Sequence, residues 1–311
     1  MMSVKKYNLV LVPHTKSNQR QDFEKIAIYI EKNAPDIQLF IVEDIEENKV
    51  IDKFLRKKPT LVFSIFRLKH LKQLSGTIYE GSTVSKYEEL LMMERMDLPV
   101  PRMALLSVGN KPDLGDFGDY IVMKPARGRQ GADVKIVKKT KVKWKRPKTE
   151  AASRSHQWIL QEFIYTGEWP TSYRVTTLFG KVLFSLKIEA DRNKIPLKSK
   201  EAFKNGGGSI VSSGKGCSFS LDYNEEIIAL GEKAHTAFPS VPLIGCDIVR
   251  DIEDGELYIV EANSMGLVWH FNSPIGISSQ KHSNISFESQ FDGINKAAQI
   301  LIQKTRSLTL S

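Results

Sequence analysis

Apolar and polar positions fall into short blocks along this chain, and the spacing inside the blocks switches between strand and helix periods. YNLVLV at residues 7–12 is an apolar run of strand length. Residues 21–33 carry Phe23, Ile26, Ala27 and Ile30 at helical spacing. Residues 37–42 read as a second strand, 50–57 as a short helix, and 60–65 as a third strand entered from Pro59. This β-α-β-α-β alternation predicts a small lobe with a parallel sheet. Pro13-His14-Thr15 follows the first strand where a dinucleotide fingerprint would carry glycines, so no such site is assigned there.

A boundary follows at Gly81-Ser82-Thr83-Val84. Ser85 with Glu88 three residues later forms a capping-box pattern, predicting a helix from there to about Met96, stopped by Pro99 and Pro101. Strands are expected at residues 120–124, 135–137 and 158–164. Residues 174–178 and 181–188 form a hairpin around Phe179-Gly180, and residues 224–237 form a helix. A second hairpin spans 243–249 and 257–262, with Asp254-Gly255 as its strongest turn signal. Residues 287–301 predict a closing amphipathic helix.

The second hairpin carries the candidate chemistry. Asp247 interrupts its first apolar run, and Glu261 and Asn263 interrupt the second. Side chains two apart on a strand share a face, so Glu261 and Asn263 point the same way. Pairing residue 249 with 259 would set Asp247 opposite Glu261, a register the pattern leaves open. Ionised carboxylates on a mostly apolar sheet need a partner charge unless they sit at an exposed rim. Neighbouring cations are one answer. A divalent metal is another, and three hard oxygen donors without His or Cys suit Mg²⁺ or Mn²⁺.

Composition narrows the partners. A 311-residue chain with 41% hydrophobic and 26% charged residues is an ordinary globular chain of about two domains or several lobes. The net charge of +9 favours anionic partners. Two cysteines without a CxxC argue against a disulfide framework or zinc and fit a reducing cytosol. No apolar run is long enough to span a membrane, and the N-terminus reads as a strand rather than a signal peptide. Lys86, in the first turn of its helix, opposes the helix dipole and needs a compensating partner unless it is simply solvated. Lys124 ends a strand and leads into Arg127-Gly128-Arg129-Gln130-Gly131, a basic glycine loop able to cradle phosphate. GSIVSSGKG at 208–216 mimics a P-loop but has one residue too many and lacks the final Ser or Thr. Residues 138–148 hold seven basic side chains around Trp144, read as a solvated connection, with nucleic-acid binding as the rival. The lysine-rich stretch 187–204, followed by Asn205-Gly206-Gly207-Gly208, reads as a substrate-facing loop or as disorder.

In order, these features resemble the ATP-grasp superfamily of carboxylate–amine ligases, nearest its ribosomal-protein glutamate ligase (RimK-like) branch. The ordered set is SKYEELLMMERMDLPVP, VMKPARGRQGADV, LQEFI, YRVTTL, NGGGS and GCDIV…YIVEANSMG, over roughly residues 81–305. The resemblance implies an α/β ATP-grasp fold with a small parallel N-terminal lobe at 1–80. Two α+β lobes, at 81–165 and 166–311, would sandwich the nucleotide. Lys86 and Lys124 would contact ATP phosphates, and Gly128 to Gly131 would close over them. Gln161, Glu162 and Phe163 would form the adenine hinge, and Asp247, Glu261 and Asn263 would hold Mg²⁺ (or Mn²⁺). Arg174 and Lys187 would be the catalytic cations, Lys187 standing where the branch often has arginine. Ser172 stands where the branch usually has an acidic residue, which leaves the ribose contact to either Ser172 or Glu168. Ser264-Met265-Gly266 departs from the usual proline-glycine. The implied activity is formation of an acyl phosphate and then an amide, with release of ADP and phosphate. The carboxylate would be an amino acid or an acidic peptide or protein, joined to an amine, and the location the cytoplasm; the superfamily is often homodimeric, and the sequence leaves the assembly open. The alternative is a nucleic-acid or acidic-polymer binder with a vestigial nucleotide site.

Overall fold

The computed structural model describes residues 5–14, 19–42, 55–68, 75–127, 133–146, 156–192, 216–264 and 266–309. Three sheets organise them. The first contains β1 (Tyr7–Leu11), β2 (Ile37–Ile41), β3 (Thr60–Phe63) and β4 (Thr77–Tyr79) in the order β2-β1-β3-β4, all parallel. The parallel lobe expected from the alternation is present, and β4 extends it by a three-residue strand too short to show a period. Helix α1 (Gln19–Asn33) buries Phe23, Ile26 and Ile30 as its spacing requires. The short helix expected at 50–57 lies largely outside the described residues.

Helix α2 (Lys86–Glu94) opens with the capping box read from the sequence. Ser85 Oγ accepts from the Glu88 N–H at 3.3 Å, and Glu88 Oε2 accepts from the Ser85 N–H at 2.7 Å. The middle sheet has the order β5-β8-β6-β7, built from β5 (Met103–Leu106), β6 (Tyr120–Pro125), β7 (Lys135–Lys138) and β8 (Trp158–Glu162), all antiparallel. Strand β5 was not anticipated.

The third sheet has the order β11-β10-β9-β12-β13, from β9 (Thr171–Leu178), β10 (Lys181–Ala190), β11 (Cys217–Leu221), β12 (Leu243–Arg250) and β13 (Leu257–Asn263). Phe179 and Gly180 join β9 to β10 with φ of 47° and 79°, the left-handed pair of a two-residue hairpin turn. A bulky residue is strained there, and tertiary contacts hold it: the Phe179 ring lies edge-on to Tyr79 at 4.9 Å, and its N–H donates to Pro242 O at 2.8 Å. Helix α3 (Glu225–Ala234) covers one face of this sheet.

The other face shares one core with the N-terminal lobe and the C-terminal helices α5 (Phe287–Phe291) and α6 (Gly293–Arg306), while α4 (Pro274–Ser283) buries only Gly276. The closing helix expected as one piece is broken, because Asp292 at φ 52° ends α5 in the left-handed region. Helix α6 lies against α1, burying Ile294, Ala297 and Leu301, and Arg306 closes a two-point ion pair with Asp36 at 2.6 and 3.0 Å. The segment after β13 also reaches the N-terminal lobe. Trp269 donates its indole N–H to the fully buried Asp22 at 2.8 Å, and Asn272 donates to the same carboxylate. Burial raises the Asp22 carboxyl above its ordinary range, against these two bonds, which lower it.

Gly231 is where α3 crosses β9: a Cβ there would stand 2.5 Å from the Val175 side chain. Gly231→Ala is therefore expected to cost about 1–3 kcal/mol in urea unfolding by overpacking. Adding Val175→Ala should recover part of that loss, because the two positions share one contact.

Candidate active site

The β12–β13 hairpin differs from its expected form in two ways. Its turn is a longer loop, in which Asp251 N–H donates to Glu256 O, Gly255 N–H donates to Asp251 O, and only Gly255 is left-handed. Its register is 249 opposite 258, with Ile248 opposite Ile259 and Asp247 opposite Glu261. Val260 is thus an extra residue, a β-bulge. Residues 259 and 261 would share a face in a regular strand; one inserted residue sends them to opposite faces. Ile259 enters the core with Ile248, and Glu261 turns to the other side with Asp247.

Strand β9 extends that row, because Arg174 is the register partner of Asp247. Arg174 clasps the Asp247 carboxylate with Nε and Nη2 at 2.7 and 2.8 Å. At the far end, Lys86 Nζ meets Glu261 Oε1 at 2.7 Å. The ion pair offsets the poor position of a lysine in a first helical turn. Arg174, Asp247, Glu261 and Lys86 therefore form a line of charges, plus-minus-minus-plus, across three strands and a helix start. Asn263 Nδ2 donates to Gly245 O at 3.3 Å and to Asp247 Oδ2 at 3.4 Å.

The middle sheet closes over this row. Lys124 Nζ donates to the carbonyl of the bulged residue, Val260 O, at 2.7 Å, and Gln161 Nε2 reaches the same oxygen at 3.4 Å. Burial drives the Lys124 ammonium down to about 8, with Glu261 opposing the shift. Burial also pushes the Glu261 carboxyl up, but Lys86, Lys124 and Arg174 outweigh it, and the group lies below the ordinary range. Arg174, buried yet clasped by Asp247, is held more firmly protonated than usual.

Glu89 went unrecognised in the sequence. It is 4% exposed and receives a hydrogen bond from Ser264 Oγ, and burial raises its carboxyl to about 8. The signal was present: Glu89 sits beside Leu90 and Met93 in the buried stripe of α2, where an acid is out of place. His270 lies in the segment that follows β13. Burial and the charge of Arg174 keep its imidazole neutral, down to about 4, and Nδ1 lies 3.1 Å from Ser273 Oγ.

The remaining expected residues lie apart. Lys187 is the partner of Tyr173, one residue out of phase with Arg174, so it faces the opposite side of the sheet. There it pairs with Glu189 at 3.0 Å and lines a cavity of about 160 Å³ with Tyr173, Thr171 and Arg250. Glu162 accepts from the Gly118 N–H at 3.0 Å, and its own N–H donates to Arg102 O. The Phe163 N–H donates to Tyr120 O, and its ring joins Tyr120, Ile136 and Tyr165 in a small apolar cluster. Glu168 is exposed on the connection after β8. Gly128 and Gly131 lie outside the described residues, as does the glycine stretch at 206–208. Among the described residues no three His, Cys, Asp or Glu side chains converge as a metal cluster, so the oxygen set here is two carboxylates and one amide.

Glu89 sets a sign for the pH dependence of stability. Its folded carboxyl keeps a proton to about 8, against an ordinary value of 4.5. The folded state therefore holds the extra proton across that window, and stability falls as pH rises through it. Lys124, depressed to about 8 from 10.5, acts above that window with the opposite slope. Calorimetric unfolding of Glu89→Gln should lose the decline below about pH 8 and keep the rise above it.

No protein-family model matches the chain, and no curated protein matches it in sequence. Solved structures do match. The D-cycloserine synthetase DcsG superposes with a TM-score of 0.55 at 14% identity, covering 96% of this chain and 99% of that one. The ATP-grasp ligase PsnB complexed with a minimal precursor gives 0.53 at 13% identity, covering 96% and 100%. The macrocyclase MdnC bound with precursor peptide MdnA, from Microcystis aeruginosa MRC, gives 0.53 at 13%, covering 95% and 99%. With its parallel lobe, its two antiparallel sheets and these matches along nearly its whole length, the chain has the multi-lobed α/β ATP-grasp fold.

Proposed function

We propose that this chain is an ATP-dependent carboxylate–amine ligase that releases ADP and phosphate. The observation that carries the reading is the charge row. Lys86, Lys124 and Arg174 stand against Asp247 and Glu261, while Glu89 keeps its proton at neutral pH, so the cleft holds more positive than negative charge. Such a site suits a polyanion.

The donor set fits magnesium. Asp247 and Glu261 lie side by side across one strand pair with Asn263 beside them, all hard oxygen ligands, and Glu261 is held ionised. A divalent ion there would supply charge neutralisation to the transferring phosphoryl group. Lys86 and Arg174, which neutralise these carboxylates in the structure, would then serve phosphate and acyl oxygens. Lys124 would hold the bulge carbonyl or turn to phosphate. The γ-phosphoryl passes to the substrate carboxylate, ADP leaves, and an amine attacks the acyl carbon and expels phosphate. This chemistry asks for positioning and charge stabilisation more than for a protein nucleophile. Phe163, Tyr120 and Tyr165 offer an apolar wall for the base.

We place the substrate in the peptide class of the RimK-like branch, supported by the motif order and by two of the solved structures above, one bound with a precursor peptide and one complexed with a minimal precursor. Cys217 and Cys246, both buried, suit a cytosolic enzyme. No helix among the described residues is long and apolar enough to cross a membrane.

ADP release, screened against amino acids and acidic peptides with mass spectrometry of the products, tests the reading. Glu261→Gln should keep its circular dichroism spectrum and lose about 10²–10³-fold in ADP release, comparable to removing one preorganised charge-stabilising group. Arg174→Lys, which cannot reproduce the two-point clasp, should lose activity in kcat more than in KM for ATP. Undiminished turnover in Glu261→Gln would sink the assignment.

A further inference from the structure

The basic stretch that the nucleotide cleft does not use builds a second site. On the middle sheet, Lys124 and Gln161 share the face turned to Val260. Leu106, Trp158, Leu160 and Met123 alternate with that face and lie on the other side. There a niche of about 390 Å³ opens between the Ser107–Asn110 turn and residues 142–144. Its floor is apolar: Leu106 and Val142 are buried, and the Trp144 ring is fixed by its N–H donating to His156 O at 3.0 Å. Its rim carries Lys111 and Lys143, both exposed and without an ion pair among the described residues. Lys141, Lys145 and Arg146 stand exposed next to it. Lys139 is otherwise engaged, donating to Phe117 O at 2.6 Å.

Size and charge choose the occupant. A niche of this volume takes one or two side chains of a ligand. It is not a groove that tracks a nucleic-acid backbone, and a lone, edge-pinned Trp is not a run of stacking platforms. We propose that the outer face of the middle sheet docks a short acidic peptide segment. One apolar side chain would enter between Leu106, Val142 and Trp144, and flanking carboxylates would meet Lys111 and Lys143.

The site lies on the side of the sheet away from Lys124, so it is tested without ATP and stands or falls apart from the ligase reading. Fluorescence anisotropy of a labelled octapeptide of Glu and Asp with one central Leu should report saturable binding to the full chain. The double variant K111E/K143E changes only exposed side chains and should weaken that binding about tenfold or more through like-charge repulsion. A peptide with Ser in place of the Leu should also bind more weakly. Unchanged affinity in the double variant, equal binding of the Ser peptide, or no binding of the Leu peptide would overturn the proposal. So would tighter binding of oligothymidylate of equal charge with a steep salt dependence.

Discussion

A carboxylate held in a low-dielectric cleft must have its charge matched, and this structure is arranged around matching two of them. Asp247 and Glu261 come from adjacent strands, and three neighbouring elements each bring a cation: β9 brings Arg174 onto Asp247, the start of α2 brings Lys86 onto Glu261, and β6 brings Lys124 close by. Removing one partner would leave a partly buried carboxylate less fully compensated. The relative placement of the third sheet, the middle sheet and α2 is thus tied to electrostatics as much as to apolar packing. The same balance leaves the cleft with a surplus of positive charge.

The bulge at Val260 reconciles two demands on one strand. The core needs Ile259 and Leu257 inward, and the cleft needs Glu261 outward on the row of Asp247. Strict alternation cannot give both. Inserting a residue interrupts the ladder and frees a carbonyl, and that carbonyl becomes the acceptor for Lys124 and Gln161. An irregularity that would otherwise leave a polar group unsatisfied is instead the joint between two sheets.

Much of this was legible in the sequence. Ser85 and Glu88 announced the capping box, the first five elements announced a parallel lobe, and the polar interruptions at Asp247, Glu261 and Asn263 marked the site. The bulge was not legible, because an extra residue in a ladder is set by which side chain the core accepts, and both 249–258 and 249–259 pairings satisfy a local pattern. Strand β4, with three residues, is too short to display a period, whereas β11 (CSFSL) alternates apolar and polar positions and could have been read. Helix α4 has only Gly276 buried and so shows no apolar stripe, although Ser273 and Pro274 carried a start signal. Lys187 shows the limit of carrying a role along a strand: its spacing from Arg174 places it on the neighbouring strand, but pairing phase decides the face.

Helix α6 has a consequence for how the molecule is made. The buried faces of α1 and α6 belong to one core, and Arg306 is clasped by Asp36. The lobe synthesised first therefore cannot complete its packing while the ribosome still shields residues 293–306. Phe23, Ile26 and Ile30 lie in the core those residues complete, so this chain departs from the usual N-terminal-first order of domain maturation. During translation the earliest lobe is the one that waits longest, and its exposed apolar stripe is a natural point of attention for chaperones.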